Sequence, residues 1–251
     1  MPKGLCILTE SPIALEPDDS PPPPRWPGKV VVEGDVEALF DRLAFELMML
    51  ANEAVRTRGA FHLAFTSNGL LEPLLDRFLL DPGLRRMPWP MTHLWQVDEQ
   101  RAEQGHAGVA WSRMAETFVP HTGLPRGHTH PMPADDVSAP THYANRLKRV
   151  LNGGQLDCVV MCCGGNGSIG ALQQGDAVTQ SPIVFAKDNG QDMITMTPPL
   201  LGAARRALFL VLDAQARRCI ERDLGQETSP VHRLIQAGAS PIWGVVSDAL
   251  Q

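Results

Sequence analysis

The chain has 251 residues, 43% hydrophobic and 20% charged, which allows one large packed domain or two small ones and excludes a disordered polymer. Acidic side chains outnumber basic ones 28 to 22, and the formal charge of −6 argues against nucleic acid or an anionic membrane as partner. The longest strongly apolar runs, Cys158–Cys163 and Ala207–Leu212, are strand-sized and far short of the roughly 18 residues of a membrane span. Met1–Leu15 lacks the apolar region and cleavage site of a signal peptide.

Residues 1–28 read as a proline-rich N-terminal arm, because Pro21–Pro24 favour an extended polyproline conformation and exclude helix or central strand. Residues 29–251 read as a single α/β domain. Val30–Val32 is a short β-branched strand, and Asp35 is an N-cap for a helix whose apolar face runs through Leu39, Phe40, Leu43, Leu47, Leu50 and Ala51 to a stop at Gly59. Phe61–Phe65 follows as strand, Leu70–Leu80 as helix, His93–Val97 as strand and Trp111–Phe118 as helix. A further helix carries Tyr143, Leu147, Val150 and Leu151 and ends at Gly153–Gly154. Cys158–Cys163 reads as a fully buried strand from its unbroken apolar character. After Pro199 come a short helix, the strand Leu208–Leu212, helices over Ala214–Leu224 and Val231–Ala237, and a last strand over Ile242–Val246.

Strand–helix alternation predicts a three-layer α/β sandwich with a mainly parallel, Rossmann-like sheet. In such sheets a ligand lies beyond the carboxyl ends of the strands, so the loops after Phe65, Val97 and Cys163 are the segments that matter. They read Thr66-Ser67-Asn68-Gly69, then Asp98-Glu99-Gln100-Arg101, then Gly164-Gly165-Asn166-Gly167-Ser168-Ile169-Gly170. Asp98 and Glu99 are a carboxylate pair fit for acid–base work or for binding sugar hydroxyls; holding loop amides is their structural alternative. The five cysteines form no CxxC pair, and three share one apolar run, so they read as buried small hydrophobes in a reducing, cytoplasmic setting. His121, His128 and His130 lack a second ligand cluster, and no metal or cofactor is expected. Gly165-x-Gly167-x-x-Gly170 matches a dinucleotide fingerprint formally, but Ala171–Gly175 is too short and broken for the helix such a site needs. Gly167-Ser168-Ile169-Gly170 is an incomplete nucleophile elbow, since Asn166 stands at its first glycine.

These segments together resemble the 6-phosphogluconolactonases, in the group that includes the glucosamine-6-phosphate deaminases. The family's L-S-G-G-S-T-P loop corresponds to Leu63 through Gly69, its W-x-D-E-R strand end to Trp95 through Gln100, and its L-G-x-G-x-D-G-H loop to the segment ending at Ser168. Ile194–Thr197 through Ala204 and Arg205, and His128–Pro133, resemble two further family segments, and the similarity is collinear from about residue 29 onward. The resemblance implies hydrolysis of a 6-phosphorylated sugar δ-lactone in the pentose phosphate pathway. It also implies phosphate binding by the first loop with adjacent basic side chains, and a histidine base oriented by an aspartate.

On this alignment the base falls on Ser168 and its aspartate on Asn166, while the phosphate-loop glycines fall on Ser67 and Asn68. The arginine of D-E-R falls on Gln100, with Arg101 adjacent, and the arginine ahead of I-T-L-T falls on Met193. The expectation is therefore a lactonase-like protein of carbohydrate metabolism with weak or lost ordinary hydrolysis, a pseudoenzyme, with an active hydrolase on a phosphorylated sugar lactone or related sugar phosphate, using replacement groups, as the alternative. Its catalytic residues are undetermined, with Asp98 and Glu99 as replacement candidates. Its substrate-binding candidates are Thr66, Ser67, Asn68, Gly69, Gly164, Gly165, Gly167 and Arg101. A phosphorylated sugar or lactone is the expected ligand, and the crevice or the arm is the place for any protein partner.

Overall fold

Strand β1 (Lys29–Glu33) leads into helix α1 (Val36–Arg58), whose start and stop follow from two residues. The Asp35 side chain accepts from the Ala38 amide, and Gly59, at φ 83°, closes the helix in the left-handed conformation. The computed structural model describes residues 22–67, 71–101, 109–176, 179–188 and 190–250. Within these lie β2 (Phe61–Phe65), α2 (Glu72–Leu80), β3 (Thr92–Gln96), β4 (Asp98–Gln100), α3 (Val109–Thr117), β5 (Thr129–His130), α4 (Ala139–Leu151) and β6 (Cys158–Cys162). They continue with β7 (Ile183–Asp188), β8 (Gln191–Met196), α5 (Pro198–Gly202), β9 (Ala207–Val211), α6 (Ala214–Asp223), α7 (Pro230–Gln236) and β10 (Pro241–Val246).

Seven strands form one parallel sheet in the order β1-β10-β9-β6-β2-β3-β5. Side chains alternate across it: Cys158, Val160 and Cys162 face one layer, while Val159, Met161 and Cys163 face the other. The first layer is built on α1, α2 and α3 through Leu43, Phe78 and Met114; the second on α4 to α7 through Tyr143, Leu201, Ile220 and Leu234. A strand covered on both faces needs no polar residues, which explains the unbroken apolar runs at β6 and β9. Gly244 of β10 is small for the same reason, since a Cβ there would stand 2.9 Å from a Leu43 methyl.

The predicted helices and parallel strands agree with the structure to within a few residues. The small sheet β4-β8-β7, which is antiparallel throughout, is an addition to them. Asp98–Gln100 is thereby corrected from a loop to a strand, with Asp98 opposite Thr195 and Glu99 opposite Ile194. Residues 22–28 lie against the second layer: Trp26 meets Trp243 edge-to-face at 5.0 Å, and the Trp243 indole donates to the Pro27 carbonyl at 2.6 Å.

Strand order fixes the position of the crevice. From β2 the chain proceeds outward through β3 to β5, whereas from β6 it proceeds the opposite way through β9 to β10. The reversal falls between β2 and β6, so the loops after these two strands diverge and leave a gap at their carboxyl ends.

Candidate functional site in the crevice after strands two and six

Thr66 continues the β2 ladder, its amide bonding the Val160 carbonyl at 3.0 Å. Ser67 then turns onto β4: its amide donates to Asp98 Oδ1 at 2.6 Å, and its hydroxyl donates to the Asp98 carbonyl. The second Asp98 oxygen accepts from the Ala171 amide at 2.9 Å. One buried carboxylate thus ties together the loops after β2 and β6. Gly170 permits this approach, because a Cβ there would stand 2.4 Å from Asp98 Oδ2 and 2.7 Å from the Thr66 methyl, at a φ of 56°. The Thr66 hydroxyl is buried and has no hydrogen-bond partner among the described residues.

Glu99, 1% exposed, is used in the same way. It accepts from the Gln100 amide at 2.9 Å, from Gln96 Nε2 at 2.7 Å and from the Trp111 amide at 2.9 Å. The last bond fixes the first turn of α3, where unpaired amides favour a negative partner. Gln96 extends the network, donating to the Ser67 hydroxyl at 2.9 Å and accepting from the Met132 amide at 2.7 Å.

The loop after β6 folds on itself. Gly164 N–H donates to the Ser168 carbonyl at 2.9 Å, Gly167 N–H to the Gly164 carbonyl at 3.0 Å, and Ser168 N–H to Asn166 Oδ1 at 3.0 Å. Ser168 Oγ and Asn166 Oδ1 both lie over Gly164, at 2.6 and 2.7 Å from where its Cβ would be. Ser168 Oγ itself makes no hydrogen bond among the described residues.

The outer side of this loop rests on α6. Cys219 Sγ donates to the Gly165 carbonyl at 3.1 Å, and Gln215 packs on Gly165. Gly167, at φ 84°, leaves room for Asp223, whose carboxylate holds Arg222 through two bonds of 2.6 and 3.0 Å. That pairing raises the Arg222 pKa. Sequence reasoning missed Arg222 and Asp223, since two polar residues near a helix end carry no sign that a loop glycine will pack on them.

A cleft of about 260 Å³ opens beside Thr66 and Ser67, between α2 and α3. Glu72, Asp76 and Arg113 bring charge to its walls, and Arg113 pairs with Glu72 at 2.6 Å. Arg113 is a cation near the first loop that the sequence reading did not select. Arg101, which it did select, turns elsewhere: its guanidinium lies 4.3 Å from the Phe185 ring centroid, and its amide bonds the Asp192 carbonyl at 2.8 Å. The structure thus brings Thr66, Ser67, Asp98 and the end of the Gly164–Gly170 loop together, and places Arg101 against β7. Asn68 and Gly69 lie outside the described residues.

The histidines have structural surroundings. His130 stacks on Trp95 at 3.7 Å, His128 stacks on His93 at 3.9 Å, and His93 Nδ1 lies 3.0 Å from His130 Nε2. Among the described residues no three His, Cys, Asp or Glu side chains converge as metal ligands. Cys158, Cys162, Cys163 and Cys219 are free and buried, and burial with the nearby Asp157 charge pushes the Cys158 thiol up to about 12.

Comparison with known proteins adds family-level findings. The family profile described as glucosamine-6-phosphate isomerases/6-phosphogluconolactonase matches residues 34–243. The chain is 25% identical over 223 residues to the GDH/6PGL endoplasmic bifunctional protein of Homo sapiens, covering 85% of this chain but 27% of that protein. With a 6-phosphogluconolactonase of Synechocystis it shares 24% identity over 225 residues, covering 82% of this chain and 90% of the relative. A solved 6-phosphogluconolactonase structure from Thermotoga maritima superposes with a TM-score of 0.74 at 14% identity, covering 87% of this chain and 99% of the other.

Proposed function

This chain belongs to the glucosamine-6-phosphate isomerase/6-phosphogluconolactonase family, and on that premise we propose a protein whose crevice receives a phosphorylated sugar or its lactone but hydrolyses the lactone weakly or not at all. The carrying observation is the state of the loop after β6. At the position the family resemblance gives to the base stands a serine hydroxyl with no imidazole or carboxylate partner among the described residues, and its neighbour Asn166 contributes an amide oxygen to a turn. A serine hydroxyl does not take a proton near neutral pH without a base of its own. Loss of a positioned general base costs about 10²–10⁴-fold in rate.

A replacement mechanism through Asp98 or Glu99 has weaker support. Both are buried, and both already accept two or more hydrogen bonds that shape the crevice. The resemblance assigns phosphate binding to the first loop, where Ser67 is drawn onto Asp98 rather than offered outward. Arg113, beside that loop, is the cation best placed to meet an anionic ligand there, with Glu72 as its resident partner.

Hydrolysis of 6-phosphogluconolactone, corrected for spontaneous ring opening, tests the reading. The wild-type chain is expected to run near background, and the Asn166→Asp, Ser168→His double change to raise turnover at least about tenfold. Wild-type turnover well above background that disappears on Asp98→Asn, in a protein that still folds, would overturn the proposal in favour of a replacement base.

A further inference from the structure

At the amino-terminal end of the sheet, one strand length from the crevice, lies a second and larger cleft of about 650 Å³. Arg58 from the end of α1 and Arg205 and Arg206 ahead of β9 line it, together with Asp157, Glu53 and Ser240. Asp157, 6% exposed, is its floor. One of its oxygens meets Arg58 Nε at 2.8 Å and Arg205 Nε at 3.4 Å, and the other accepts from the His62 amide at 2.8 Å.

The arginines here keep donors to spare. Arg205, exposed, lies within ion-pair distance of Asp157 without a hydrogen bond to it, and its terminal nitrogens have no acceptor among the described residues. Arg206 donates Nη1 to the Arg205 carbonyl at 2.8 Å and to Ser240 Oγ at 3.3 Å, and has no carboxylate within ion-pair distance among the described residues. Glu53 is paired with Arg56 at 3.3 Å. A purely structural role accounts for Arg58, which sits in the last turn of α1 where the helix favours a cation. It does not account for Arg206, a cation without a carboxylate in a chain whose formal charge is −6.

Planar guanidinium forks carrying spare N–H donors are matched to phosphate oxygens, which accept two parallel bonds from one guanidinium. We propose that this cleft binds a phosphate-bearing small molecule, through the terminal nitrogens of Arg205 and Arg206, at a position separate from the crevice. Its volume accommodates a ligand larger than a single phosphate ion, so a diphosphate group is the ligand chemistry expected to bind best.

Inorganic pyrophosphate is the probe, titrated at low ionic strength while the arginine Nε–Hε resonances and the heat of binding are followed. Saturable binding with a Kd of about 1 mM or tighter is expected, with the Arg205 and Arg206 signals moving together. Arg205→Gln with Arg206→Gln should weaken it at least tenfold, and Arg113→Gln in the crevice should leave it unchanged. If the double change unfolds the chain, Arg206→Gln alone serves, because that side chain has no carboxylate to abandon. Absence of saturation up to about 10 mM overturns the proposal. So does binding that survives the arginine changes and disappears with Arg113→Gln, since the anion then belongs to the crevice.

Discussion

Asp98 and Asp157 are both buried and stand near opposite ends of the seven-stranded sheet, yet their hydrogen-bond partners among the described residues differ in kind. Asp98 is held by neutral backbone donors, the amides of Ser67 and Ala171, and so its charge fixes the course of two loops. Asp157 accepts from one amide and from the Arg58 guanidinium, with Arg205 at ion-pair distance, and so its charge gathers side chains that keep further donors to spare. A carboxylate used the first way builds a cavity wall, whereas one used the second way supports a cationic surface. The crevice proposed to receive the sugar lies at the Asp98 end, where the family resemblance gives the position of the base to Ser168. Unspent charge accumulates at the other end.

The contrast is broken most severely by Asp98→Ala. That change leaves two buried amides unpaired, and at about 1–3 kcal/mol each the expected loss is about 4 kcal/mol in the free energy of urea unfolding. Asp157→Asn keeps the volume and one acceptor but removes the charge between Arg58 and Arg205, and about 2 kcal/mol is expected in the same measurement. A loss at Asp98 no larger than at Asp157 would mean that the amide anchoring is not what distinguishes the two ends.

Acid sharpens the comparison, because His62, whose amide meets Asp157, belongs to a stack of rings at that end. Burial, with the charges of neighbouring histidines, lowers His62 and His93 to about 4; burial first, then His93 and Arg146, lowers His130 to about 3. These rings are neutral in the fold and protonate near 6.5 in the unfolded chain. Their contribution is therefore fully present above pH 6.5 and is lost as pH falls from there toward about 4. A drop in Tm of roughly 5 °C between pH 6.5 and 4.5 is expected from calorimetry, and His93→Gln should flatten it. The smallest effect is set by an exposed pair: Lys29→Ala breaks the contact with Glu46 and should change stability by no more than about 0.5 kcal/mol.

Sequence patterning made the parallel sheet and its helices legible because each had its own signal: an Asp35 cap, a Gly59 stop, unbroken apolar runs at β6 and β9. The small antiparallel sheet escaped that reading. Phe185 and Gln191 are exposed, so the alternation expected of a half-buried strand is diluted by polar residues. The sequence dipeptide Asn189-Gly190 is a strong hairpin mark that the reading did not use, and β7 and β8 do pair antiparallel, with Asp188 opposite Gln191. With that hairpin unrecognised, Asp98 and Glu99 read as loop residues open to the crevice. As members of β4, paired to β8, they are instead buried among amides. The loops after β2 and β6 do lie side by side at the carboxyl ends of their strands, because that placement follows from strand order alone. Side-chain direction does not, and so Arg101 was expected in the crevice and lies against Phe185, while Arg113 was overlooked.

The ends of the strand order have their own consequence. β1 is an outermost strand of the seven, with one row of backbone groups unmatched by any neighbour among the described residues, and it is preceded by Pro22–Pro24 and Pro27. Proline offers no N–H to an incoming strand, and Trp26, packed against Trp243 of β10, anchors this stretch to the second layer. At the opposite border β5 is only two residues long, too short to template a neighbour. The fold thus offers almost no template at the β5 rim for the strand-by-strand accretion that leads to fibres, and Trp26 moors the stretch that leads into the other rim to the body of the domain.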